Sequence, residues 1–136
     1  MIIDANVAVK WVLDHPDNAL ASALMGRPDL KAPSNLLLEV AHVLTREKRE
    51  RGLPERDMRD GWALIVGGNI AITPFEGLLE EALNLSLRLN ATTHDCLYMA
   101  LALREDDTVM TADRRMRNAA ESVADTRGLV MMLGDA

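Results

Sequence analysis

Apolar residues fall along this chain in two alternating rhythms: short unbroken runs, and longer stretches in which they recur at helical spacing. Met1-Ile2-Ile3 predicts a brief buried strand that ends at Asp4. Helical spacing follows from Val7 to Leu13 and stops at a turn over Asp14–Pro16. A short second helix covers Asn18 to Met25, closed by Gly26 and Pro28. Lys31-Ala32 predicts a short extended segment before Pro33. Ser34 or Asn35 is placed to cap a long helix running through Leu36, Val40, Val43 and Leu44 to about Arg51, with Gly52 closing it. Pro54 opens another helix, through Trp62 and Ile65 to the Gly67-Gly68 break. Ile70–Thr73 reads as a strand. Glu76 to Leu89 reads as a helix with Leu79, Leu83 and Leu87 along its apolar face, and His94 to Arg104 as a further helix. Thr108–Thr111 is a strand, Asp113 to about Val123 a helix and Leu129–Leu133 a final strand.

Strands separated by helices imply βαβ crossovers, so the expected class is α/β with a mainly parallel central sheet. In such open sheets a ligand site lies beyond the carboxyl ends of the strands. Asp4 and Asp113 both stand there, each just after a strand and at the start of a helix. The 136 residues suit one domain over 1–136, without repeats or evident linkers.

Composition adds constraints. No apolar run approaches the ~20 residues that span a bilayer, and no signal-like segment opens the chain. Cys96 is the single cysteine, which excludes an intramolecular disulfide and makes a cytoplasmic location the expectation. At 3% aromatic residues the chain is too poor to grip single strands mainly by base stacking. The net charge of −6 runs against a nucleic-acid partner. Carboxylates devoted to cations would account for part of that charge. The basic residues are also clustered, as Arg46, Lys48, Arg49 and Arg51 and as Arg114, Arg115 and Arg117, although either cluster would equally suit a solvated helix face.

Several acidic residues have two readings. Asp4 and Asp113 would each serve as a helix cap, and Asp95 would close a capping box with Thr92. Glu39 is harder to explain structurally. Its neighbours in Leu36-Leu37-Leu38-Glu39-Val40-Ala41 are apolar, and a buried carboxylate costs several kcal/mol unless it is paired or bound to a cation. Taken together, four carboxylates in one cleft would repel one another, and a hard divalent cation relieves that repulsion. His15, His42, His94 and Cys96 show no zinc-like spacing. Glu39-x-x-His42 is half of a di-iron motif whose second copy is missing.

The segments Ile2-Ile3-Asp4-Ala5-Asn6, Leu37-Leu38-Glu39-Val40-Ala41, Thr93-His94-Asp95-Cys96-Leu97-Tyr98-Met99-Ala100-Leu101-Ala102 and Thr111-Ala112-Asp113 occur in this order along nearly the whole chain. They resemble the successive signatures of PIN-domain nucleases and, more narrowly, of VapC-type toxins of bacterial toxin–antitoxin systems. The resemblance implies a three-layer α/β/α fold with Asp4, Glu39, Asp95 and Asp113 converging on Mg2+ or Mn2+ to hydrolyse RNA. It makes Asn6 and Thr111 helpers beside the ligands, and it implies a cognate antitoxin as partner. Two departures stand out. Cys96 replaces a small residue, and Met116 and Arg117 stand where some members carry a further acid. Both point to a lean, three- or four-ligand site. Lys10, Arg114 and Arg115 are candidates for holding phosphates, with a solvated lysine the alternative for Lys10.

Two rivals to the nuclease reading are open at this stage. An aspartyl-phosphate enzyme would also use an aspartate after the first strand, but its usual second aspartate is Asn6 here. A catalytically silent PIN-like module would bind RNA or protein, though such modules usually lack one of the acids. The segment Leu36 to Val66, with Trp62, Leu64, Ile65 and Val66, carries more apolar surface than a small sheet needs, so a homodimer through it is expected as an alternative to core packing.

Overall fold

The computed structural model describes residues 1–13 and 18–135. The turn expected over Asp14–Pro16 lies outside the described residues. Five strands form one sheet in the order β3-β2-β1-β4-β5, with every pairing parallel. They are β1 (Ile2–Ile3), β2 (Lys31–Pro33), β3 (Ala71–Thr73), β4 (Val109–Thr111) and β5 (Val130–Met132). Among the described residues, seven helices flank the sheet in a three-layer α/β/α arrangement: α1 (Ala5–Ala8), α2 (Asn18–Ser22), α3 (Asn35–Arg51), α4 (Glu55–Val66), α5 (Leu79–Leu89), α6 (Thr93–Glu105) and α7 (Arg114–Glu121).

The strand order explains where a site is built. From β1 the chain steps outward to β2 and β3, then returns to the other side of β1 to lay down β4 and β5. The direction of winding therefore reverses between β1 and β4, and the crossover helices diverge there, leaving a crevice at the strands' carboxyl ends. Ile2 pairs with Val109 and Ile3 with Met110, and the amide of Asp4 bonds the Met110 carbonyl at 3.1 Å. This register brings Asp4 level with Thr111.

Strand residues alternate between two apolar clusters, as the period of the pleat requires. Val109 and Val130 join the main core with Leu36, Val40, Tyr98, Met99 and Leu101, whereas Met110 and Met131 join a smaller cluster with Val7 and Ala21. Helix α6 is the centrepiece of the main core: Cys96 through Ala102 are all buried. Among the described residues no helix is long and apolar enough to cross a membrane.

Several expected boundaries shift. The first helix starts at Ala5, directly after Asp4, and its later part is a 3-10 turn over Val9–Trp11. The second helix ends at Ser22. Helix α3 runs to Arg51 and is closed by Gly52 in the left-handed region (φ 73°), where a side chain would be strained. Ser34 precedes it without capping it; its hydroxyl instead accepts the Phe75 amide at 2.9 Å and ties α3 to the segment after β3. The face assigned to the Glu76–Leu89 helix, α5, is corrected. Leu79, Leu83 and Leu87 are exposed, whereas Leu78, Ala82, Leu85 and Leu89 are buried. Both sets have helical spacing, so periodicity alone does not say which stripe meets α6. Of the surplus apolar residues in α4, Ile65 belongs to the core and Trp62, Leu64 and Val66 are exposed.

Candidate active site

Asp4 follows β1 in extended conformation (φ −84°, ψ 155°) and, although it stands at the start of α1, makes no side-chain cap bond. Its carboxylate is buried, and Oδ2 accepts the Thr111 hydroxyl at 2.7 Å. Burial raises the Asp4 pKa from 3.8 to about 7; the Thr111 bond opposes the rise, and the charges of Glu39 and Asp95 add to it. Thr111 is fully buried, so it orients Asp4 rather than facing a solvent-filled site. Its Oγ1 also accepts the Asp113 amide at 2.9 Å. Asn6 spans the same gap: its side-chain oxygen accepts the Ala112 amide at 3.1 Å and lies 3.5 Å from Thr111 Oγ1. Asn6 and Thr111 thus stitch the end of β1 to the end of β4.

Glu39 comes from the second turn of α3. Asn35 donates from Nδ2 to Oε1 at 2.7 Å, and the phenol of Tyr98 donates to Oε2 at 3.2 Å. The surroundings only partly match the expected burial, because Leu38 beside it is 71% exposed and Glu39 itself is half-buried. Desolvation still raises its pKa; the Asn35 and Tyr98 bonds and nearby His94 lower it, and Asp95 raises it. Tyr98 is fully buried, and its phenol feels the charges of both Asp4 and Glu39.

Asp95 lies in the first turn of α6, where Thr92 Oγ1 accepts the Asp95 amide at 3.2 Å. This is the capping bond expected from the sequence, but the carboxylate also takes part in the acidic group. Burial raises its pKa, and Asp113 adds to the rise. Asp113 does cap α7: Oδ1 accepts the Arg115 amide at 2.9 Å, and the Arg115 guanidinium stands 3.5 Å from both carboxylate oxygens.

Asp4, Glu39 and Asp95 therefore lie within electrostatic reach of one another near the switch point, and Asp113 lies within reach of Asp95. They do not form a closed cage. Among the described residues no group of three His, Cys, Asp or Glu side chains has the closeness that would hold a metal ion. Glu39 and Asp113 are turned toward local partners instead. The donor set nonetheless fits a hard divalent cation, because every group is a carboxylate oxygen and at least three of them carry a raised proton affinity.

The expected phosphate-holding residues separate. Arg114 and Arg115 are exposed at the start of α7. Lys10 is not the solvated lysine that was the alternative: it is 8% exposed and makes its interactions within the protein. Sequence reasoning missed the roles of Asn35 and Tyr98. The signal for Asn35 was its position four residues before Glu39, which puts both on one helix face.

Comparison with known proteins agrees with the fold. The family model described as "PIN domain" matches residues 1–122. VapC20 of Mycobacterium tuberculosis, described as a sarcin-ricin loop cleaving toxin, superposes with a TM-score of 0.70 at 14% identity, covering 87% of this chain and 93% of that one. PAE2754 of Pyrobaculum aerophilum has a TM-score of 0.68 at 14% identity, with 98% and 88% covered. VapBC2 of Rickettsia felis, solved with a DNA fragment from its promoter, has a TM-score of 0.62 at 15% identity and 96% coverage of both chains. No curated protein matches the sequence.

Proposed function

The chain belongs to the PIN-domain family, and on that premise we propose that it is a divalent-metal-dependent endoribonuclease, the toxin of a bacterial toxin–antitoxin pair. One observation carries the reading. The Asp4 carboxylate is buried just after β1, where burial, with the charges of Glu39 and Asp95 adding to it, pushes its pKa up to about 7. A protein that gained nothing from this repulsion would be more stable with amides there. The structural likeness to VapC20 supports RNA as the substrate class.

Asp4, Glu39, Asp95 and Asp113 would hold Mg2+ or Mn2+, with Asp4 and Asp95 as the main ligands. When bound, such a cation supplies Lewis-acid chemistry that polarises the phosphate and activates water. The chain's own residues do the positioning. Thr111 donates to Oδ2 of Asp4 and so holds its carboxylate in place. Asn35 and Tyr98 orient Glu39, and Arg114 and Arg115 offer exposed positive charge for phosphates at the mouth. Asn6 is engaged with Ala112 and Thr111, and as an amide it does not replace the second aspartate of an aspartyl-phosphate enzyme. The antitoxin would cover this acidic mouth, and exposed Trp62, Leu64 and Val66 are the apolar surface a homodimer would use.

The test is cleavage of a mixed cellular RNA pool by the purified, partner-free protein with Mg2+, with Mn2+ and with chelator, beside Asp4→Asn. Metal-dependent cutting that the variant lacks supports the reading. Its absence from a folded, metal-supplied protein favours a silent binding module.

A further inference from the structure

Between the 3-10 turn over Val9–Trp11 and α4 lies a cleft of about 270 Å3, lined by Trp11, Val12, Asp57, Asp60, Gly61 and Leu64. None of Asp4, Glu39, Asp95 or Asp113 lines it, so it can be probed whether or not the protein cuts RNA.

The α4 side of the cleft is a single helical stripe, because Asp57, Asp60, Gly61 and Leu64 recur at i, i+3, i+4 and i+7. Gly61 is buried, and a Cβ there would come within 3.1 Å of the Val12 side chain. The missing side chain is what lets α4 lie close over Val12 and close the floor. Leu64 is 48% exposed and stands at the edge of α4 away from Trp62 and Val66, with buried Gly61 and Ile65 between, so it gives the cleft an apolar wall. Trp11 bounds the other side. Its indole N–H is committed to the Ala21 carbonyl at 2.7 Å, so what it offers the cleft is apolar ring. The neighbouring cation, Lys10, is buried and does not line the cleft.

The acids at the rim are left largely unneutralised. Among the described residues Asp57 has no ion pair, and Asp60 has one, to Arg56 at 3.9 Å, with the two side chains 73% and 90% exposed. A pair that long and that exposed contributes little. An apolar cleft with two carboxylates at its rim selects a ligand with an apolar stem and a cationic head.

We propose that this cleft receives an arginine side chain of a protein partner, its stem along Val12 and Leu64 and its guanidinium between Asp57 and Asp60. The planar guanidinium has five donors, enough to serve two carboxylates one helical turn apart, and it stacks on aromatic rings; an ammonium is a point charge. A hard divalent cation would find only two carboxylates and otherwise apolar walls. A phosphate backbone would be repelled by the same two charges. A second copy docked through this face would set two acidic rims against each other, since a two-fold contact pairs like with like. The net charge of −6 likewise favours a basic partner surface.

The experiment titrates the full chain with a blocked Leu-Arg-Leu tripeptide and follows the Trp11 indole N–H and the Val12 and Leu64 methyls by NMR. Saturable shifts with a Kd on the order of 1 mM are expected. Citrulline in place of arginine keeps the shape without the charge and should weaken binding about tenfold. Asp57→Asn combined with Asp60→Asn should weaken the arginine peptide about as much and leave the unfolding midpoint nearly unchanged, because both acids are exposed. Equal shifts from the citrulline peptide, or arginine shifts that survive the double variant, would overturn the guanidinium site. So would the absence of any shift at these three positions. A peptide without effect, together with a dimer that the double variant dissociates, would overturn the partner in favour of a second copy. None of these readouts depends on catalysis.

Discussion

Asp4 and Glu39 carry the same functional group to the same end of the sheet, yet the chain holds them in opposite ways. Asp4 sits at a strand end, where hydrogen-bonded register with β4 fixes its backbone and Thr111 from the neighbouring strand fixes its side chain. It cannot swing away from its low-dielectric surroundings, and its proton affinity rises accordingly. Glu39 reaches in from a helix, half-buried, on a longer side chain steadied by Asn35 and Tyr98. Asp113 is freer still and serves as a helix cap. The contrast teaches that one carboxylate is imposed by the fold, whereas the rim is arranged by side-chain contacts that a ligand can rearrange.

The sharpest way to break the comparison is Asp4→Asn. If Asp4 is the fixed anchor, cleavage should fall by more than ~100-fold while the fold persists. The same variant has a signature independent of activity. Because the folded-state pKa of Asp4 is raised from 3.8 to about 7, the folded protein holds this proton more tightly than the unfolded chain. The associated stability is fully present below pH ~4 and is lost as pH rises toward 7, on the order of a few kcal/mol in the metal-free protein. The raised values of Glu39 and Asp95 act in the same direction. Urea unfolding across this window should show a decline in the wild type that Asp4→Asn reduces and that divalent cation offsets. A wild-type stability that rises with pH would mean that Asp4 is not held as described.

Next in size is Thr111→Val, which keeps the volume and removes the hydroxyl that bonds Asp4 Oδ2 and accepts the Asp113 amide. A partner that orients a ligand is typically worth ~10–100-fold in activity or metal affinity, and Thr111→Ser should recover most of it. Tyr98→Phe tests the other region. It removes one of two donors to Glu39 and leaves Asn35 in place, so the expected loss is smaller, roughly tenfold or less in apparent Mn2+ affinity. Equal losses from Thr111→Val and Tyr98→Phe would erase the distinction between anchored and adjustable acids.

The same division governs what was readable in the sequence. Asp4 and Asp113 were legible because strand-to-helix transitions at Ile3–Asp4 and Thr111–Asp113 are local patterns, and a parallel sheet sends such ends to one side. Gly52 was legible because a helix end that needs a positive φ favours glycine. The apolar face of α5 was misassigned because leucines recur at helical spacing on two of its stripes, and only packing against α6 selects between them. Ser34 shows the same limit: its side chain satisfies Phe75, a partner 41 residues away. Tyr98 was visible only as one more residue of an apolar run; its phenol matters because α3 and α6 bring it to Glu39, across 59 residues of chain. Long-range side-chain pairs of this kind leave no periodic trace.

The smallest predicted effect probes the most adjustable acid. Arg115 is 93% exposed and stands 3.5 Å from Asp113, whose side chain is 20% exposed. An ion pair on that surface contributes less than ~1 kcal/mol to stability, so Arg115→Gln should leave the unfolding midpoint almost unchanged. Its effect on the site has two opposing parts. Losing the guanidinium frees Asp113 and removes a positive charge near the place where a cation would bind, which should tighten Mn2+ about twofold. If Arg115 holds a phosphate as proposed, losing it should also raise KM for RNA about twofold, and that part should shrink at high salt. Mn2+ titration and KM measured at two salt concentrations separate them. If Arg115→Gln weakens Mn2+ instead, the guanidinium is holding Asp113 in the geometry that binds the cation. Asp113 would then belong with Asp4 among the anchored acids rather than with the adjustable rim.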